Sequence, residues 1–532
     1  MKKILLTFLI LLGCRSFAQQ QTATYSVSPA AFEENTSITV TINGSSIDEA
    51  AWGVTGNVLY MWAWAFDLGG VTQKGTPLNG TWNNSDEASK FTYNQANDTY
   101  TKTFTPTTYY NTTGIGKIGF LIKAKDGTGD KKSQDILVEV GSFQVNLTAP
   151  LQNSATIINS GANFTITATN TNGNASYNLK SNGVSIHTNG STSSYTFTQS
   201  NITSNQNYEL EVLQGTTTIT KKFSVIVNPG ANTQAMPTNL VDGINYNSTD
   251  ATKATLVLDA PLKDFVYVAG SFNNWQPTNA HAMLKDPTTG KFWLELTGLT
   301  SGTNYTYQYW VVDATPIAGT PAMVKTADPY STLVLSPYDD PTIPAASYPN
   351  LPVYPTGQER EVTVLQTGQT PYAWSTATTN FVKPAKEKLV VYELLVRDFD
   401  ARRSYQAVID KLDYFKNLKI NAIQLMPVME FEGNESWGYN TAYHMALDKF
   451  YGTSNKLKEL IDKCHQNGIA VILDVALNHA FGRNPMLRMW MNDPDGDGWG
   501  SPSTENPYFN TVAKHSYSVG EDFNHQQPDR KS

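Results

Sequence analysis

Between Ile469 and His479 the chain reads I-A-V-I-L-D-V-A-L-N-H, and three of its side chains are of kinds that do chemistry: Asp474, Asn478 and His479. A carboxyl orients or accepts, an amide oxygen suits a hydroxyl or a hard cation, and an imidazole donates or moves a proton near neutral pH. Local elements position them. Val471, Ile472 and Leu473 form a short apolar run with a β-branched bias, which reads as a buried strand. Before it, Ser454 stands as the N-cap of a helix striped by Leu457, Leu460, Ile461 and Cys464 at i, i+3, i+4, i+7 spacing. Gly468 falls where a left-handed residue would end that helix. The polar groups therefore sit just past the C-terminal end of a strand, where parallel α/β sheets and barrels gather their ligands. The alternative is a strand end whose polar groups simply bond one another.

Two further strand–helix units precede this one. Lys388 to Phe399 reads as strand one, and Tyr405, Val408, Leu412, Phe415 and Leu418 stripe helix one. Ala422 to Val428 reads as strand two. Apolar strands alternating with helices indicate a parallel sheet covered by helices. Acids in this region do not read as a catalytic pair. Glu393 and Asp398 lie inside strand one, and Glu430, Glu432 and Glu435 fall after strand two, where exposed acids are ordinary.

The motif D-V-A-L-N-H resembles the first signature of the α-amylase superfamily, glycoside hydrolase family 13. Upstream, W-G-Y-N-T-A-Y-H from Trp437 to His444 resembles the family's second strand–helix loop, and downstream V-G-E-D-F-N-H-Q-Q-P resembles the short motif before its fourth barrel strand. The resemblance implies a (β/α)8 barrel acting on α-glucans by a retaining double displacement. It also implies roles: His479 donating to the sugar beside the scissile bond, Asp474 orienting an arginine, Tyr439 as a stacking floor with Trp437 a structural neighbour, and Asn478 on a structural calcium. The nucleophile, the acid and a second aspartate are expected after strands four, five and seven. The stretch from Lys388 to Ser532 falls short of the roughly 250 residues of a full barrel. The expectation is thus an incomplete (β/α)8 TIM barrel over 388–532, with no catalytic residue in the chain, the carboxylates beyond Ser532, and no turnover.

The chain before the barrel reads differently. Residues 20–145 and 146–229 are rich in short alternating runs divided by Gly, Asn and Ser, as in immunoglobulin-like β-sandwich modules, the second a spacer. Trp62 and Trp64, inside V-L-Y-M-W-A-W-A-F, read as core. Trp82, flanked by Thr81 and Asn83, is a candidate for stacking on sugar, because aromatic faces suit the C–H faces of pyranoses. Residues 238–345, with G-S-F-N-N-W and later A-D-P-Y, resemble the starch-associated modules of carbohydrate-binding module family 48, with Trp275 a candidate glycan contact. Five prolines from Pro341 to Pro355 mark 346–387 as an extended connector.

Composition narrows the class. Of 532 residues 16% are charged and the net charge is −8, with no basic run, which argues against nucleic acid. Residues 1–18 read as a signal peptide: Lys2 and Lys3, an apolar centre, then S-F-A for cleavage. Leu11-Leu12-Gly13-Cys14 offers a rival lipid anchor, so the location expected is secreted or cell-surface. No later apolar run reaches the length of a spanning helix. Cys464 is then a lone cysteine on its helix's apolar stripe and reads as a buried thiol. Asp493, Asp495 and Asp497, with Gly498 at the sixth position, match the first half of a calcium loop, but Thr504 stands where an EF-hand needs Glu. No cofactor is required for the chemistry, and structural calcium is the metal expected. The functional reading is a secreted starch- or glycogen-acting glycosidase. The alternatives are a non-catalytic starch binder and a debranching or branching enzyme of the same superfamily.

Overall fold

A computed structural model describes residues 21–526 apart from 69–72, 129–130, 153, 231, 495, 497 and 517–518. The leader, its cleavage site and Cys14 lie outside the described residues, as do Asp495 and Asp497. The chain divides into two compact units. One runs to Ser224, and the other takes Val225 onward together with Ile157–Ala162 and Asn201–Asn205.

In the first unit, Ile38–Asn43 shows why it is a strand. Ile38, Val40 and Ile42 are fully buried while the threonines between them are half-buried, which is period-two alternation with one face in the core. It lies between Tyr25–Ser28 and Thr99–Phe104, with Thr92–Asn94 beyond. A second four-stranded sheet orders Ile136–Glu139, Ile115–Lys123, Tyr60–Asp67 and Gln73–Gly75. Ile38, Val40, Met61, Ala63, Ile118 and Phe120 interleave in a single core, so the arrangement is a β-sandwich. Residues 145–228 supply a three-stranded and a five-stranded sheet.

The second unit opens with another pair of sheets. Gly243–Tyr246, Ala254–Leu258, Phe292–Leu296 and Leu284–Lys285 form one. The other orders Phe265–Gly270, Tyr305–Val312, Val362–Leu365 and Val334–Leu335, with Met323–Thr326 also paired to Tyr305–Val312. This corrects the expected module boundary at 345. Val362–Leu365 lies inside the stretch taken as connector, yet all four of its side chains are buried and it pairs with two strands. No proline falls between Pro355 and Pro371, so V-T-V-L within that interval is free to donate to a ladder.

Asp328, of the A-D-P-Y stretch, is fully buried in this module. Its Oδ2 accepts from the hydroxyls of Tyr307 (2.8 Å) and Tyr309 (2.9 Å), and its Oδ1 from the Tyr330 N–H (2.8 Å). Burial outweighs these donors and pushes the carboxyl up to about 6. That lies above an unfolded value of roughly 3.9, so the stabilising contribution is complete below it and is lost as pH rises through about 6. Asp328→Asn keeps the shape and removes the titration. Urea midpoints of the variant relative to the parent should therefore climb between about pH 4 and pH 7. A constant difference over that range would contradict this.

The last part of the unit carries three parallel strands, Val391–Leu394, Ala422–Leu425 and Ala470–Leu473, hydrogen-bonded in chain order. Val391, Ala422 and Ala470 are level, as are Leu394, Leu425 and Leu473. The helix Ser454–Gln466 covers them through Leu457, Leu460 and Cys464. Its N-cap is Thr453 rather than Ser454: the Thr453 hydroxyl accepts from the Lys456 N–H at 3.1 Å. Gly468, at φ +72°, ends it in the left-handed conformation. Cys464 is a buried thiol, which burial pushes up to about 12. The expected helix one is two short helices, Tyr405–Ile409 and Leu412–Asn417, and Leu418 is exposed rather than on a buried stripe. Between them Asp410 is drawn aside by Arg402 (2.5 Å) and Gln406 (2.9 Å). Among the described residues no helix is long and apolar enough to cross a membrane. The chain is thus mostly β before a catalytic-type α/β portion, of which three strands are described.

Leu487, Met489, Trp490, Tyr508 and Phe509, all from the excursion that follows His479, share one core with Leu256, Val266 and Tyr307 of the preceding β module. The β module and the excursion are fused by burial rather than strung on a linker.

Candidate functional site

The site grows from the ends of the second and third parallel strands. Asp474 follows Leu473 directly, and its N–H donates to the Leu425 carbonyl at 2.9 Å, so its place is set by the sheet. The Tyr439 hydroxyl donates to Asp474 Oδ2 at 2.7 Å. The Tyr439 carbonyl in turn accepts from His479 Nε2 at 2.6 Å. Three residues chosen from sequence, Tyr439, Asp474 and His479, are thereby joined. The hydrogen bond to Asp474, with burial and the Asp474 charge after it, pushes the Tyr439 phenol up to about 12, so it stays a donor.

The loop carrying Tyr439 is shaped by sterics. Gly438 has φ +93°, and a Cβ there would lie 2.4 Å from the Pro427 carbonyl oxygen. Ser436 Oγ accepts from the Gly438 N–H at 2.9 Å, and Asn440 Nδ2 donates to the Glu432 carbonyl at 2.7 Å. His444 Nε2, 3.0 Å from the Ala476 carbonyl, ties the following strand to the loop after strand three. Burial holds the His444 imidazole below its ordinary value, so it donates as a neutral ring.

His479 is buried and pairs antiparallel with Asp522, in the E-D-F-N stretch read as the downstream motif. With Nε2 donating to Tyr439, its Nδ1 has no partner among the described residues. Asn478 is exposed, and its main-chain carbonyl accepts from the Phe523 N–H at 3.0 Å. Asp493 is buried and accepts from the Gly498 N–H at 3.0 Å, closing its own turn. Among the described residues no cluster of three His, Cys, Asp or Glu side chains is placed to hold a metal.

Two readings of neighbouring residues are corrected. Trp437 was expected as a structural neighbour, but it is 63% exposed beside Tyr439, and only its position in the glycine-bearing loop hinted at that. Glu430 was expected in an exposed loop, but it is buried in the strand Met429–Phe431. It pairs with buried Lys449, which also lies 3.3 Å from Asp340. Burial pushes the Glu430 carboxyl up to about 7 against the pull of Lys449. Burial also acts to lower Lys449, but Glu430 and Asp340 outweigh it and hold the ammonium above its usual range. Beside this pair, Arg483 bonds Asp339 and lies 3.6 Å from Glu361, while its N–H donates to Glu432 at 2.8 Å. These charges brace the loop after strand two against the β module.

The other aromatic candidates lie elsewhere. Trp275, at φ +59°, is half-buried and packs on Leu335, Val362 and Val364 of its own module. In the first unit, Trp82 donates from Nε1 to the Gly127 carbonyl at 3.1 Å and meets Trp62 edge to face at 5.2 Å, with the Lys123 ammonium 5.1 Å from its ring. Trp64 is in the core as expected, whereas Trp62 is only half-buried.

The geometry stands alongside three comparisons. The family model described as "Alpha amylase, catalytic domain" matches residues 398–515, which include Tyr439, Asp474 and His479. A malto-oligosyltrehalose trehalohydrolase of Saccharolobus solfataricus is 41% identical over 100 residues, 19% of this chain and 18% of that protein. A cyclomaltodextrinase of Thermoanaerobacter pseudethanolicus is 45% identical over 74 residues, 14% of this chain and 12% of that protein. The chain thus spans a fifth or less of the length of these relatives. A pullulanase from Anoxybacillus sp. LM18-11, solved with maltotriose, aligns over 71% of this chain and 54% of its own at 19% identity, with a TM-score of 0.38. Residues 398–515 therefore match part of a catalytic domain of the α-amylase type, and the similarity is to that segment.

Proposed function

We propose that this protein engages α-glucan, starch, glycogen or maltodextrin, through the loops beyond the second and third parallel strands. The observation that carries the reading is the hydrogen-bonded set Tyr439–Asp474–His479 inside the segment that matches the family. Tyr439 and exposed Trp437 supply ring faces for the C–H face of a glucose unit. Asp474 orients the Tyr439 phenol and keeps it protonated, and His479 holds the Tyr439 main chain through Nε2. Trp82 and Trp275 are secondary contacts in this reading, and a calcium on the Asn478 oxygen belongs to it without entering any step.

Bond cleavage with retention needs a nucleophile and an acid about 5–5.5 Å apart. The residues named above recognise glucan at or outside the cell surface and are not that pair. The test is calorimetry with maltoheptaose, combined with an assay for new reducing ends. Tyr439→Ala should weaken binding about tenfold, roughly 1.4 kcal/mol. Tyr439→Phe should lose less, since the ring remains. Unchanged affinity in Tyr439→Ala would remove the site from the reading, and new reducing ends would show a hydrolase or debranching enzyme rather than a binder.

A further inference from the structure

A cleft of about 550 Å³ opens in the second unit, between the β module and the start of the helix Ser454–Gln466. Its size falls in the range of small-ligand sites. Leu333 and Val364 make an apolar floor, Tyr348 and Tyr372 line the sides, and Asn304, Thr332 and Asn455 stand at an exposed rim. Lys458 is the one charged residue among those lining it. The aromatic wall lies outside the segment that matches the family, and none of these residues belongs to the Tyr439 site.

The wall is held in place. Tyr372, which lines the cleft, meets Trp374 just outside the lining edge to face, 5.0 Å apart at 71°, and Trp374 remains 39% exposed. Immediately after them, Ser375 donates its N–H (3.2 Å) and its hydroxyl (2.7 Å) to Asp462 Oδ1, and Asp462 is buried on the same helix that forms the facing wall. A half-buried tyrosine against an exposed tryptophan, anchored from behind, is a fixed corner rather than a loose loop. The rim side chains of Asn304, Thr332 and Asn455 make no hydrogen bond with other described residues. A fixed aromatic face, uncommitted amide and hydroxyl groups and almost no charge together suit a ligand with apolar C–H faces and an equator of hydroxyls. A pyranose has that chemistry, and an anion or a peptide side chain does not.

We infer that this cleft is a second carbohydrate site, taking a neutral gluco-oligosaccharide against Tyr372 and Trp374, separate from the Tyr439 site. The choice of glucose units rests on the α-glucan reading above. The cleft then holds one stretch of a polymer while another reaches the strand ends.

The two sites are separable by fluorine NMR of the full chain carrying 5-fluorotryptophan, with Trp374→Phe and Trp437→Phe used to assign two of the 11 tryptophans. On titration with maltoheptaose, both signals should move. Tyr372→Ala should raise the Kd read at Trp374 at least fivefold and leave the Kd read at Trp437 unchanged. Asn304→Ala, an exposed change with nothing to unfold, should raise the Trp374 Kd about twofold to threefold. Movement of Trp437 with a silent Trp374 would overturn the second site and leave the α-glucan reading intact. Movement of Trp374 alone would support the cleft and remove the strand-end site. Silence at both would overturn the α-glucan reading and with it the identity of the cleft's ligand.

Discussion

Lys449→Met is expected to destabilise the second unit by about 3–5 kcal/mol, read as a lowered urea midpoint. The ammonium is almost fully buried against Glu430 and Asp340, and removing it leaves carboxyls in an apolar setting without their counter-charge. The loss should be smaller at pH 5 than at pH 8. Glu430 already titrates at about 7 in the fold, above the roughly 4.3 of an unfolded glutamate, and without Lys449 that value rises further. Stability tied to its protonated form is present at low pH and disappears as pH rises through the folded value. The double change Lys449→Met with Glu430→Leu should recover part of the loss, because the Glu430 charge goes with its partner while Asp340 stays without a counter-charge. A single variant as stable as the parent at pH 8 would mean that the pair does not brace the loop.

Trp490→Ala should cost a similar amount, about 3–5 kcal/mol for an aromatic truncated in a core. Trp490 is fully buried, its Nε1 donates to the Pro261 carbonyl at 2.9 Å, and its ring meets Tyr508 at 5.3 Å. It also lies under Lys263, which is itself buried and paired with Asp313 at 3.1 Å. Trp490→Phe should cost less, since it keeps most of the packing and loses the one hydrogen bond. Pro261 and Lys263 belong to the β module, whereas Trp490 belongs to the excursion after His479. The shared core therefore predicts that both melt in one transition and that Trp490→Ala lowers it as a whole. Two transitions, with only one of them moved by the substitution, would show separate cores and refute the fusion.

Much of the local structure around the site was legible in the chain. The stripe ending at Cys464, the glycine at 468 and the apolar run before Asp474 each produce their element through propensity and period, both of which act over a few residues, although that run is half-exposed rather than buried. D-V-A-L-N-H and W-G-Y-N likewise named Tyr439, Asp474 and His479, which the fold joins by hydrogen bonds. Elsewhere, distant partners decided the outcome. Val362–Leu365 is a strand because two remote strands accept it, although a proline-rich neighbourhood suggested a connector. Glu430 is buried because Lys449, 19 residues on, meets it, whereas an isolated glutamate after a strand reads as solvated. Trp437 is exposed in the loop that Gly438 turns against Pro427, where the sequence made it only a structural neighbour of Tyr439. Period and propensity therefore settled the elements and the identity of the polar cluster. The choice of what lies inside, what stays in water and which modules share a core belonged to tertiary structure, because burial depends on partners far apart in the chain.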